Sequence, residues 1–209
     1  MHIYGAQIQA KPGRGGELSA ALGELRDVVS AAIDRPVYSW AVVAGAPTGS
    51  FAISTRAEGT GDLIDTLMTM NGNEDYQKLA SNLSDLLAAP SQTSWMRVLT
   101  SAGDVGDPKP VTVVTTATVA VGHVGDAMAW SHEMTEYAAG LSGMGTMLAT
   151  SAAGSFFDVA WISGAESGAA VDEANERLMA DAGYLERMDN GDDLFVDGTV
   201  SRMVMARLP

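Results

Sequence analysis

Asp158, His132 and Glu136 are the residues whose types and positions best suit acid–base chemistry. Asp158 interrupts an apolar run between Phe157 and Val159. A carboxylate in a covered strand is costly unless it is paired, and such a setting suits a base. His132 precedes Glu136 by one helical turn, a spacing at which two side chains meet, and histidine titrates near neutral pH. We therefore predict Asp158 and His132 as catalytic residues.

Each of these residues also has a structural interpretation. Asp158 could lie at an exposed strand end or bond a neighbouring hydroxyl, and His132 with Glu136 could be a surface pair. His123, at the turn before the same predicted helix, is the other histidine nearby, but no third ligand stands at a convincing spacing for a metal. We predict no metal and no cofactor, and haem binding through His123 or His132 is a weaker alternative.

Large aromatic side chains are predicted to line a ligand cavity. Their rings give apolar walls with a polar edge, and strand parity places two of them on one face of the second strand. The other interpretation is that these rings fill the core or the contact between two halves of the chain. The predicted substrate-binding residues are Tyr38, Trp40, Trp95, Trp130 and Trp161.

Composition limits the function classes. The 209 residues are 46% hydrophobic, enough for a substantial core. Asp and Glu outnumber Lys and Arg by 26 to 12, for a net charge of −14, which argues against nucleic-acid or anionic-membrane partners because both require a basic face. The absence of cysteine excludes disulfides and thiolate chemistry. No apolar run approaches the roughly 20 residues of a membrane span, and the chain opens on a strand pattern, so we predict a cytoplasmic protein.

A sequence stretch that occurs twice predicts the strands and helices that position these side chains. The stretch Gly49-Ser50-Phe51 returns as Gly154-Ser155-Phe156, 105 positions later, which places Asp158 where the first copy has Ile53. An alternating apolar run precedes both stretches, and a helical segment with a closing strand follows both. We predict residues 1–100 as one repeat, 101–110 as a Gly/Pro-rich linker and 111–209 as a second repeat, each in the order β-α-β-β-α-β.

Such a duplication has a physical reason. One β-α-β-β-α-β repeat covers only one face of its four-stranded sheet with helices, and the other apolar face needs a partner. A second copy in the same chain supplies that partner. We therefore predict an α+β fold in which two antiparallel sheets face each other and form a pseudo-dimeric α/β barrel within one chain.

Two segments carry a resemblance to a known superfamily. The opening strand and turn, Ile8-Gln9-Ala10-Lys11-Pro12-Gly13-Arg14, and the helical segment Asn73-Glu74-Asp75-Tyr76-Gln77-Lys78-Leu79 are similar to the ferredoxin-like units of the dimeric α/β-barrel superfamily. Its members include antibiotic-biosynthesis monooxygenases, EthD and NIPSNAP-like proteins, haem-degrading monooxygenases and the chlorite-dismutase group. The resemblance covers nearly the whole chain, in two copies. The second copy departs from it, because Val121-Gly122-His123 replaces the Lys-Pro-Gly turn.

The resemblance implies a small-molecule enzyme, and our first hypothesis is a cofactor-independent monooxygenase that acts on a hydrophobic or aromatic compound. A non-catalytic binding or structural module is the alternative from a different class. The expected partner is a small hydrophobic molecule. A homodimer through the closing strand, Thr199 to Leu208, stays open because an exposed strand edge can pair with another chain.

Overall fold

The structure is a computed structural model that describes residues Met1–Pro209. The first half contains strands β1 (His2–Gln9), β2 (Val37–Ala44), β3 (Ser50–Ala57) and β4 (Gln92–Ala102), with helices α1 (Gly15–Ile33), α2 (Thr60–Asn71) and α3 (Glu74–Ser84). The second half contains β5 (Val111–Thr118), β6 (Gly145–Ala153), β7 (Asp158–Ala165) and β8 (Ser201–Arg207), with α4 (Val124–Ser142), α5 (Gly168–Ala180), α6 (Ala182–Asp189) and a short 3-10 helix, Asp192–Leu194.

The eight strands follow the order β1-β3-β2-β8-β5-β7-β6-β4 in a closed barrel. Together with the six helices, this confirms the predicted α+β class. The chain packs as two compact units, which we call unit 1 (Met1–Met96 with Met205–Pro209) and unit 2 (Arg97–Val204). None of the helices combines the length and the hydrophobicity that a membrane span requires.

A leucine stripe on α1 builds the core of unit 1. Leu18, Leu22 and Leu25 recur at intervals of four and three residues, so they share one helical face, and Leu18 and Leu22 are fully buried. This face packs on Ile8 of β1 and Phe51 of β3. The space between helix and sheet in unit 1 is therefore occupied by aliphatic and aromatic side chains.

Helix α4 of unit 2 has the same length as α1, but smaller residues face its sheet. When the two 19-residue helices are aligned from their first residues, Ala127 and Ser131 replace Leu18 and Leu22. Both are completely buried. Small, completely buried side chains therefore stand where α1 has two leucines of its stripe.

The second helical region is broken into two helices in both units, and the two breaks have the same cause. The side chain of Asn73 accepts a hydrogen bond from the Tyr76 backbone N–H at 2.9 Å, and Asp181 accepts one from the Tyr184 N–H at 2.7 Å. These side chains satisfy orphan amides at the first turn of α3 and α6. A new helix therefore begins after each break.

Strand register corrects the alignment of the two copies. Ser50 begins β3 opposite Gln9, and Asp158 begins β7 opposite Thr118. Asp158 therefore corresponds to Ser50, which stands 108 positions earlier. The alignment of the two copies that matched Asp158 with Ile53 was wrong by three residues. Ser155, Phe156 and Phe157 therefore belong to the connection before β7 and not to the strand, and Phe156 is exposed there.

Candidate functional site: an aromatic cavity in unit 2

Unit 2 contains a cavity of about 610 Å³ between its sheet and its helices. This volume lies within the range of small-molecule pockets, roughly 300–1,000 Å³. Its walls come from β5, β6, β7 and β8, from all three helices of the unit, and from the segment 191–200 that follows α6. Apolar lining residues include Val113, Ala117, Trp130, Met134, Ala138, Met144, Trp161, Leu178, Met179, Met188, Phe195, Val196 and Val200.

Three rings form one wall of this cavity, and we call them the aromatic trio: Trp130, Trp161 and Phe195. Their centroids lie 6.0 Å apart for Trp130 and Trp161, 5.4 Å for Trp130 and Phe195, and 5.9 Å for Trp161 and Phe195. All three pairs meet edge to face, an arrangement that brings the positive edge of one ring to the negative face of another. The trio is a rigid apolar surface that could hold a flat ring.

Trp130 is held by a hydrogen bond and by packing. Its indole N–H donates a 2.8 Å hydrogen bond to the backbone carbonyl of Arg187 on α6. Gly191 lies against the same part of the ring, where a Cβ atom would come within 2.6 Å of Cε2 and 2.9 Å of Nε1. The orientation of this indole is therefore fixed by packing and by one hydrogen bond.

Phe195 is positioned by an extension of the sheet. The segment around it pairs with the end of β5: Ala120 N–H donates to the carbonyl of Leu194 at 2.9 Å, and Val196 N–H donates to that of Thr118 at 2.8 Å. An isolated bridge also joins Phe195 to Val119. An irregular segment thus places the Phe195 ring in the cavity wall.

Trp161 lies on β7 and shares its side of the sheet with Ser163, which also lines the cavity. Its indole Nε1 is buried and has no hydrogen-bond partner. An unpaired buried donor carries a free-energy cost. A ligand acceptor that reached this nitrogen would remove the cost.

Polar groups occupy a separate part of the cavity wall. Arg202 of β8 donates to the side-chain oxygen of Asn175 on α5 at 2.9 Å, and Tyr184 of α6 lines the same cavity. Burial raises the pKa of Tyr184, and the positive charge of Arg202 offsets part of that effect. The Tyr184 phenol is therefore neutral at pH 7 and can donate a hydrogen bond. Thr146 and Ser163 bond each other at 2.8 Å and are satisfied without a ligand.

A small network fixes α6 as a wall of the cavity. The Tyr137 hydroxyl of α4 donates to Asp181 at 2.8 Å, and the Arg187 guanidinium lies 4.1 Å from the centre of the Tyr137 ring. Arg187 also pairs with Glu133 at 2.8 Å. The hydrogen bond from Tyr137 is the main reason that the pKa of Asp181 is lowered.

The structure divides the predicted substrate-binding residues between the two units. Trp130 and Trp161 line the cavity together. Tyr38, Trp40 and Trp95 belong to unit 1, where Trp40 donates to Ser54 at 2.9 Å and Trp95 donates to His2 Nδ1 at 2.7 Å. Only two of the five predicted rings therefore meet in this site.

Asp158 and His132 do not line this cavity. Asp158 accepts a 2.8 Å hydrogen bond from Thr118 on the neighbouring strand, and strand parity places it on the face of β7 opposite Trp161. His132 and Glu136 lie on the exposed side of α4, and His123 is exposed before it. No group of three or more His, Asp or Glu residues could hold a metal ion.

Phe195, Tyr184 and Arg202 are site residues that the sequence reasoning did not assign. Phe195 stands in an acidic, irregular stretch after α6. This stretch has no strand or helix periodicity from which the direction of the Phe195 side chain could be predicted. Tyr184 has a counterpart in Tyr76 at the same place after a helix cap, and that match is the one signal available. Arg202 lies near the start of the last strand. The alternation of side chains along a strand tells which face Arg202 occupies only once the pairing of that strand with its neighbours is known.

No family model matches the sequence, and no curated protein matches it. Solved structures do match. The chain is similar to a candidate monooxygenase from Fusobacterium nucleatum, with a TM-score of 0.73 and 8% identity over 100% of this chain and 92% of that one. It is also similar to an anthrone oxidase-like protein, with a TM-score of 0.66 and 13% identity over 100% and 91%. A third match is a ferredoxin-fold protein related to antibiotic biosynthesis monooxygenases from Listeria monocytogenes, with a TM-score of 0.53 and 10% identity over 100% and 96%. These likenesses confirm the dimeric α/β-barrel fold implied by the sequence resemblance.

Proposed function

We propose that the unit 2 cavity binds a flat, hydrophobic aromatic compound and that the protein oxygenates this compound without a metal or an organic cofactor. The aromatic trio is the observation that carries the proposal. Trp130, Trp161 and Phe195 form one wall of a cavity of about 610 Å³, and a further aromatic ring can pack edge to face or offset-stacked against such rings. The resemblance of the fold to monooxygenase-like structures supports the choice of reaction.

The chemistry can be written with dioxygen as the only oxidant. A ring-activated methylene, R₂CH₂, reacts with O₂ to give R₂C=O and H₂O. Two C–H bonds break, one C=O bond forms, and the second oxygen atom leaves as water with both protons. The role of the protein is to hold the electron-rich form of the substrate in a dry, shaped cavity, since an ionised carbon acid reacts with oxygen more readily than its neutral form.

Anthrone is a suitable probe because it is flat, tricyclic and has one such methylene. We expect chelator-treated protein to bind anthrone, to consume O₂, and to convert anthrone to anthraquinone faster than buffer alone. Trp161→Ala should abolish binding and turnover. Trp95→Ala, which removes an indole from unit 1, is the matched control and should retain both. Failure of the wild-type protein to bind anthrone and related aromatics would reject the proposal.

The placement of the predicted catalytic residues favours a second function, binding without turnover. Neither Asp158 nor His132 lines the cavity, and no other base stands among its buried lining residues. A non-catalytic carrier would bind anthrone with the same dependence on the aromatic trio. It would return the compound unchanged after incubation in air, so product analysis separates the two functions.

A further inference from the structure

We propose that Arg202 is the specificity-determining cation of the unit 2 cavity and that the cavity selects aromatic ligands with an acidic phenol or enol oxygen, which bind as anions. This inference rests on the proposed function and names its substrate class. Arg202 is the one cationic side chain among the residues that line the cavity.

The charge of Arg202 is not compensated by the protein. Its hydrogen-bond partner is the neutral amide of Asn175, at 2.9 Å. Two other cations of unit 2 are paired with carboxylates: Lys109 lies 3.0 Å from Asp104 and from Glu166, and Arg187 lies 2.8 Å from Glu133. Arg177 instead donates to the backbone carbonyl of Ser142. In a chain with more than twice as many acids as bases, a guanidinium held by an amide retains its positive charge for a ligand.

Asn175 also orients the guanidinium. Its side-chain oxygen occupies one N–H of Arg202, and a guanidinium has five such donors in a planar fork. The remaining donors are available to a ligand oxygen. An Arg–oxyanion contact of this kind is charge-assisted and stronger than a neutral hydrogen bond.

The other titratable groups of the wall are few. They are Tyr184 on α6 and Asp192 and Asp197 in the segment 191–200; the lining residues of β5, β6, β7, α4 and α5 include none. Both aspartates are exposed, and so is Arg202, so water screens the aspartates' repulsion of an anion and also part of the attraction of the arginine. Tyr184 is close enough to Arg202 to feel its charge and supplies a neutral O–H donor in the same region.

The aromatic trio and Arg202 thus recognise different parts of a ligand. The rings require a flat apolar body, and the guanidinium requires an oxygen that can lose a proton. A positive charge within a few ångströms lowers the pKa of a bound acid by about 1–3 units. A phenol or enol would therefore ionise more readily in the cavity than in water, and its anion is the electron-rich form that reacts with oxygen.

A pair of probes in which a methyl group replaces the acidic proton tests the inference. We use 2-naphthol and 2-methoxynaphthalene, with binding followed by tryptophan quenching and naphthol ionisation followed by absorbance. The wild-type protein should bind both, and naphthol should ionise at a lower pH when bound, by about one unit or more. Arg202→Gln should abolish this shift and weaken naphthol binding by about tenfold, while leaving methoxynaphthalene binding unchanged.

Arg97→Gln is the matched control, since Arg97 is an exposed arginine of unit 2 outside the cavity. It should behave as the wild type with both probes, and thermal melting checks that each variant is folded. If both probes bind but naphthol ionises as it does in water, or if Arg202→Gln and Arg97→Gln behave alike, the inference is overturned and the proposed binding function stands. If neither probe binds the wild-type protein, both proposals are overturned.

Discussion

Gly191 and Trp130 are in direct contact: a Cβ atom built on Gly191 would lie 2.6 Å from Cε2 of the indole. The φ angle of Gly191 is −96°, which any residue can adopt, so this position needs glycine for space and not for backbone freedom. The conformation of the turn after α6 and the position of the Trp130 ring in the cavity wall are thereby coupled.

Gly191→Ala is expected to displace Trp130 from the aromatic trio. Overpacking of a filled site typically costs about 1–3 kcal/mol, so thermal melting should show a lower Tm. Aromatic ligands should bind about tenfold more weakly in a fluorescence titration.

Gly140→Ala on α4 is the control for this substitution. A Cβ atom at Gly140 meets nothing within 4 Å, and alanine is the better helix former by roughly 0.5–1 kcal/mol. Its Tm should rise and ligand binding should be unchanged. Equal behaviour of the two variants would contradict the proposed coupling.

Trp130→Phe and Trp161→Phe should differ in stability. Trp130 loses the hydrogen bond to the Arg187 carbonyl, which contributes about 1 kcal/mol. Trp161 loses an indole nitrogen that has no partner, so the same substitution there should cost less. Urea unfolding measures both, and a larger loss for Trp161→Phe would show that its nitrogen has a partner in solution.

Ser131→Ala should stabilise the protein. The Ser131 hydroxyl is completely buried and has no hydrogen-bond partner, so its removal relieves a desolvation cost of about 1 kcal/mol. For a chain of this size that corresponds to a rise in Tm of roughly 2–4 °C.

Thr135→Val is the comparison for Ser131→Ala. Thr135 is buried on the same helix, but its hydroxyl donates to the Ser131 carbonyl at 2.7 Å. Removing a satisfied hydroxyl should bring no gain in Tm. A lower Tm for Ser131→Ala would mean that the Ser131 hydroxyl is solvated or bonded.

The stabilisation of α6, which forms a wall of the cavity, should decrease at low pH. The pKa of Asp181 is lowered from its ordinary value of 3.8, first by the hydrogen bond from Tyr137 and then by the backbone N–H of Tyr184. Because the folded state holds this carboxyl ionised, the contribution is present above the unfolded pKa and is lost as the pH falls below about 4.

Asp181→Asn measures this contribution. The difference in Tm between wild type and variant should be largest at neutral pH and should shrink in acid. Asp172→Asn, on an exposed position of α5, makes the same change in charge and should show no such dependence. A difference that is constant with pH would argue against an ionised cap.

Asp158→Asn tests the predicted base. Asp158 lies on the sheet face opposite Trp161 and accepts a hydrogen bond from Thr118, which an asparagine oxygen can also accept. We expect unchanged affinity for aromatic ligands and a stability change below about 1 kcal/mol. Loss of anthrone turnover with retained binding would support a catalytic role for Asp158, and retained turnover would make the residue structural.

The amino-acid sequence by itself determined the order of elements and the fold class. Leu18, Leu22 and Leu25 mark the buried face of α1 because helical periodicity is local. The need to cover both faces of a sheet then indicates a barrel.

Only the tertiary structure decided which side chains share a site. A strand alternates its faces with a period of two, so aligning Asp158 with Ile53 instead of Ser50 compares residues on opposite faces. Trp130, Trp161 and Phe195 come from a helix, a strand and an irregular segment, and no spacing in the sequence relates them. Their meeting depends on strand register and on the packing of helices on the sheet, both of which exist only in the folded chain.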